Sequence, residues 1–223
     1  MNERNSKKRG ATVWMVGIGI VIGGAIVFAG RKFILMIGAI VMLLVGSFSA
    51  DVFVNDNPED YTRYICVGTQ GQETESMCFD ETEGPAIFPE KLTPQWRVLD
   101  YKYVYYNPWD AQRIAYLTVL LDNEEYAKEK ERLSGAAMED YRGIYSVTGE
   151  PEGYDLLAMD SDKYTGFTYA MIPVKENNTI TYVAIDFCNY FLDLDIKDYV
   201  PEEYLLEGFD ATEDNPYRKE NIK

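Results

Sequence analysis

The sequence predicts an α+β fold, a mainly antiparallel β-sheet domain with one main helix, carried behind an N-terminal two-helix transmembrane hairpin. Three observations lead there. The charge divides sharply: residues 1–50 hold six Lys or Arg against the single acid Glu3, whereas residues 51–223 hold fifteen bases against thirty-six acids, a net of about −21. Two runs of 18 residues, 12–29 and 33–50, contain no charged residue. The acidic part alternates aromatic and β-branched runs with turn residues, broken once by a helix-forming stretch.

Residues 1–11 form a basic N-terminal segment. Each apolar run would be about 27 Å long as a helix, close to the ~30 Å hydrocarbon core of a bilayer. Gly30, Arg31 and Lys32 separate the runs. Burying two cations at mid-membrane costs about 2.5–3.5 kcal/mol each, so the pattern favours a tight hairpin over one long span. A signal peptide followed by a strand is the competing reading, but 18 apolar residues exceed the usual length of such a core. Gly19 and Gly23 form a G-x-x-x-G pair, and Gly38 and Gly46 lie in the second run. Small residues let helices approach closely in lipid, so these four are the expected packing positions, within the hairpin or in a homo-oligomer. Neither run contains Asp, Glu, Asn or Gln, which disfavours a conducting pathway.

Arg4, Lys7, Lys8, Arg9 and Arg63 flank the hairpin on one side and Arg31 and Lys32 on the other. The majority of bases marks the cytoplasmic side, so the charge count places the acidic domain in the cytoplasm at the cell membrane, with an extracytoplasmic domain as the alternative.

Residues 51–60 read as a tether and residues 61–210 as the acidic domain, with Val52–Val54 able to start an edge strand. Short strands over 63–67 and 77–79 would set Cys66 opposite Cys78, a pair able to close a disulfide if the domain is extracytoplasmic. Cys188, inside an apolar run, reads as a buried thiol. Residues 95–107 and 113–121 read as strands around an Asn107–Asp110 turn. Asp122, with Glu125 three residues on, caps a helix that ends at Ser134-Gly135, its charges facing solvent. Runs 164–174 and 179–188 read as a central hairpin because both faces of the second carry apolar side chains. Residues from Pro201 start a short helix, and residues 211–223 read as a charged flexible tail.

The chain has no histidine and three cysteines. Ser/His/Asp and Cys/His nucleophile pairs, His-containing zinc sites and four-thiolate sites are thereby excluded. The acid clusters Asp155/Asp160/Asp162, Asp193/Asp195/Asp198 and Asp210/Asp214 do not continue as calcium loops: Thr165 and Asp198 stand where such a loop needs glycine. No catalytic residue, metal or cofactor follows from the pattern. So acidic a surface repels phosphate, which excludes nucleic acid as a partner. All eighteen tyrosines lie in the acidic part of the chain, after residue 60; Tyr101, Tyr103 and Tyr105, with Trp109, are the candidate aromatic binding surface. The reading is a membrane-anchored, non-enzymatic binding, accessory or sensor protein, with the lipid bilayer and a protein or a second copy as partners. The alternative is a membrane-tethered hydrolase using carboxylates, marked by a concave pocket holding two acids with few bases nearby.

Overall fold

The computed structural model describes residues 51–66, 86–136, 138–175 and 178–222. Six antiparallel strands form one sheet: β1 (Phe53–Asn55), β2 (Arg97–Tyr106), β3 (Gln112–Leu120), β4 (Tyr154–Asp162), β5 (Gly166–Pro173) and β6 (Thr179–Asp186). Their spatial order is β1-β2-β3-β6-β5-β4. Among the described residues helices are few: α1 (Tyr61–Tyr64), α2 (Asn123–Ser134), α3 (Pro216–Asn221) and four single-turn 3-10 segments.

The fold class expected from the sequence needs correction. The structure is mainly an antiparallel six-stranded sheet with few helices, and no helix among the described residues is long and apolar enough to cross a membrane. Even α2, with 12 residues, is only about 18 Å long and is mostly charged. The hairpin expected over 12–29 and 33–50, with Gly19, Gly23, Gly38 and Gly46, lies outside the described residues and is not shown.

Both faces of the sheet are buried, which is why β3 and β6 read as nearly continuous apolar runs. On one face Tyr101, Tyr103, Leu117, Val119, Ile180 and Tyr182 pack under α1, α2 and Phe88. On the other, Val104, Tyr116, Tyr169, Val183, Ile185 and Phe187 pack under two irregular segments, Tyr141–Val147 and Leu192–Ala211. We call these the helix face and the loop face. Thr118 and Thr181 are paired across β3 and β6, 3.0 Å between hydroxyls, and Thr118 donates to the Tyr204 hydroxyl at 3.2 Å. A buried polar pair on the loop face is thus satisfied.

Asp122 caps α2 as its sequence indicates, accepting from the backbone N–H groups of Glu124 and Glu125, both at 2.9 Å. The charged face is not wholly solvated, however. Glu129 is buried, accepting the Tyr182 hydroxyl at 2.6 Å and Arg132 Nε at 2.9 Å. Arg132 also donates to the Ala86 and Ile87 carbonyls at 2.5 and 2.7 Å, tying that segment to the helix.

Further differences from the sequence reading are local. Residues 61–64, read partly as strand, form α1, where the Tyr64 ring stacks on Tyr103 at 4.9 Å. Part of the expected tether is β1, paired with Tyr103–Tyr105 of β2. The expected flexible tail is built in: Asn215 is fully buried, donates to the Tyr190 carbonyl at 2.9 Å and caps α3 by accepting from Arg218 N–H at 2.7 Å. Tyr217 then rests 4.9 Å from the Tyr145 ring. β4, whose acids hid the strand pattern, forms an outer edge of the sheet.

Candidate functional site

Residues after β6 shape two concavities of the described surface. The strand ends in a tight reversal in which Asn189 and Tyr190 both take left-handed backbone (φ 60° and 67°) and Cys188 bridges Phe191. Asparagine tolerates this conformation better than most residues; Tyr190 holds it against a cost, braced by Asn215 at its carbonyl. The chain then turns back over the loop face. Leu192 N–H donates to the Ala211 carbonyl at 2.7 Å, and Gln112 joins Asp193 at both ends, accepting its N–H at 2.9 Å and donating to its carboxylate. Asp195 accepts from Lys197 N–H and starts a 3-10 turn at Ile196–Asp198. Tyr204, in a second turn at Glu202–Tyr204, accepts the Tyr169 hydroxyl at its carbonyl at 2.6 Å. Gly208 has φ 78°, and a Cβ there would lie 2.6 Å from the Ser146 carbonyl oxygen, so the return past 146 requires glycine.

Two adjoining concavities result. The first, of about 600 Å³, has an apolar floor of Leu194, Ile196 and Phe209 and a rim of Asp193, Asp195, Asp210 and Glu213. The second, of about 560 Å³, has Leu205, Leu206 and Phe209 below and Glu150, Glu152, Glu202 and Glu207 around it. Lys197 and Phe209 line both. Among the described residues, eight carboxylates therefore face one base, and Lys197 itself is paired with Glu202 at 3.3 Å. Charge of one sign lining a concave, partly apolar wall concentrates the field and attracts cations.

Several of these carboxylates already serve the loop. Asp210 accepts from Thr212 N–H at 3.0 Å and from its hydroxyl at 2.6 Å, Glu213 pairs with Arg218 at 3.4 Å, and Glu150 accepts the Leu156 N–H at 3.1 Å. A carboxylate has about four acceptor positions, so these bonds orient the groups without using up their capacity for an incoming donor.

The residues singled out from sequence are scattered. Tyr101 and Tyr103 are 4% and 0% exposed, their rings in the core of the helix face, so the expected aromatic surface is not formed. Burial pushes the pKa of both phenols upward, with Asp60 adding to the effect at Tyr101 and Arg113 opposing it at Tyr103. Tyr105 is half-buried and accepts from Asn107 Nδ2 at 2.9 Å; Trp109 lies in the β2–β3 turn, 72% exposed. Cys66 is disulfide-bonded and buried. Cys78 lies outside the described residues, and Cys188 is a free, half-buried thiol just past β6 whose pKa is raised by burial and by Asp186 and Asp110. Of the acid clusters, Asp193 and Asp195 are brought together with Asp210 on the first concavity, while Asp155, Asp160 and Asp162 lie along β4. Among the described residues no group of three or more Cys, Asp or Glu side chains is arranged to hold a metal ion.

Nothing in the sequence marks Phe209, Glu150, Glu202 and Glu207 as neighbours. They come from segments some fifty residues apart, joined by the Gly149–Glu207 bridge, and no local spacing encodes that meeting. Comparison with known proteins adds no relative: no family model, no curated protein and no solved structure matches this chain.

Proposed function

We propose that the acidic domain is a binding module for a cationic, partly apolar partner, such as a Lys- or Arg-rich amphipathic segment of another protein, and that it works at a membrane to which the apolar N-terminal residues tie it. The observation that carries this reading is the groove itself, eight carboxylates and one base around an apolar floor. Apolar side chains of the partner would occupy the floor and its cations the rim, while the domain's large negative charge would speed encounter. The disulfide at Cys66 supports the extracytoplasmic alternative over the cytoplasmic side favoured by the count of flanking bases, because a reducing cytoplasm keeps such thiols apart.

Carboxylate-based hydrolysis has one observation in its favour, since the first concavity is concave and holds several acids beside a single base. Binding fits the geometry better because the carboxylates are spread around both concavities over apolar floors, an arrangement that suits several cations of one partner.

The test is a calorimetric titration of the full chain in detergent micelles with a synthetic peptide of alternating Lys and Leu. Binding is expected, weakening as salt is raised. The triple variant D195N/E152Q/E202Q should bind about tenfold less tightly, as follows from roughly 0.5 kcal/mol for each exposed charge pair lost. Equal affinity for a Glu/Leu peptide, or no change in the triple variant, would exclude the reading.

A further inference from the structure

β4 is the last strand in the sheet order, so one of its sides has no strand beside it among the described residues. Free backbone groups on such an edge are a template for pairing with another chain. Here they are covered. Leu156 N–H donates to Glu150 Oε2 at 3.1 Å, Ser161 N–H donates to Glu139 Oε2 at 3.2 Å, and the Met159 carbonyl accepts Glu139 N–H at 3.1 Å, where Met138 forms a parallel bridge to Met159. Two of the three covers are thus single carboxylates in exposed positions. The surrounding charges reinforce them. Glu139, Asp140 and Glu150 come from the preceding segment and Asp155, Asp160 and Asp162 from β4 itself, against Arg142, which lies over the Tyr141 ring, and Lys163 in the following turn. Arg132 of the neighbouring helix α2 is held by Glu129 and two backbone carbonyls, and β5 has no charged residue.

We propose that β4 is a guarded self-association edge: the Glu139 and Glu150 carboxylates hold it closed, and removal of their charge lets a second copy of the chain pair with it, strand to strand, about a two-fold axis. A second copy fits because antiparallel two-fold pairing requires one long edge from each chain. β4 offers nine residues, whereas the opposite edge, β1, offers three. Half-buried Leu156 and Leu157 and exposed Met138 would gain cover in such a pair. At neutral pH the same symmetry sets six acids against six, and the repulsion keeps the edges apart. Acidification is the natural trigger. Burial, together with Glu139 and Asp162, holds the Asp160 carboxyl above its ordinary range, so this edge begins to lose charge before ordinary surface carboxylates do.

Light scattering on the full chain in detergent tests the proposal. At neutral pH, E139Q/E150Q should show twice the protein mass of the wild type, and the wild type should double its mass on acidification to about pH 4, where carboxylates take up protons. S161P, in which the ring replaces an outward N–H that no strand uses, should block both changes with an unaltered circular dichroism spectrum. General precipitation at low charge would take S161P along with the wild type, so association of S161P equal to its parent would overturn the proposal. So would an unchanged mass for E139Q/E150Q at neutral pH together with an unchanged wild-type mass in acid.

Discussion

The Tyr182 hydroxyl and the Glu129 carboxylate meet at 2.6 Å beneath α2, and the contact shows how much one residue can decide. A carboxylate this buried must have its oxygens satisfied, and Tyr182 and Arg132 do so. Y182F removes a single donor to a charged acceptor. We expect it to lower stability by about 2 kcal/mol, measured by urea denaturation; a loss below about 0.5 kcal/mol would mean that water already shares the contact. Asp160 shows the opposite case. Its folded-state pKa is raised, chiefly by burial, so its ionised form is disfavoured by folding; the favourable contribution of its protonated form is present below the ordinary carboxylate range and is lost as pH rises through the raised value. D160N should therefore raise the melting temperature at pH 7 and lose that advantage near pH 3. An equal gain at both pH values would assign the effect to packing. None of this was legible in the sequence, where Glu129 is one of several acids in a helix-forming run and Asp160 one member of an acid cluster.

At the scale of elements, legibility followed the range of the forces involved. α2 was read to within a residue because its start is encoded locally, by Asp122 and the N–H groups it accepts. D122A should cost about 1 kcal/mol of stability, and D122N much less, in the same denaturation assay. β5 and β6 were legible because burial of both faces leaves a run of apolar residues. β4 was not: its outer side meets carboxylates and solvent, so three aspartates interrupt the pattern. The strand expected over 63–67 overlaps the end of α1 because Tyr64 and the apolar residues after it have high β-propensity, yet Tyr64 is held by stacking on Tyr103 of β2, a tertiary effect. The β4–β5 reversal depends on Gly166, with φ 116° and a place for Cβ only 2.0 Å from the Ile185 carbonyl oxygen. G166A should destabilise by about 2–3 kcal/mol, since backbone cannot yield there as a side-chain tip would.

For the whole molecule, charge division was the most informative property of the sequence, and it is also what the groove expresses: acids spread along the chain converge on one concavity. The converging residues were individually visible and collectively invisible, because Glu150 and Glu207 meet only when two loops pair over the sheet. Sidedness follows from the same scale of argument. In intact cells a membrane-impermeant maleimide should label more thiols after treatment with an impermeant reductant, as Cys66 is released to join free Cys188; labelling that needs lysis and no reductant would place the domain in the cytoplasm. The central claim is the groove's role as the contact surface for a cationic partner. Hydrogen exchange on the full chain, with and without the Lys/Leu peptide, tests it most directly. Slowed exchange confined to residues 191–197 and 202–213 is the result expected. Slowed exchange on α2 or around Trp109, with these two segments unchanged, would contradict it.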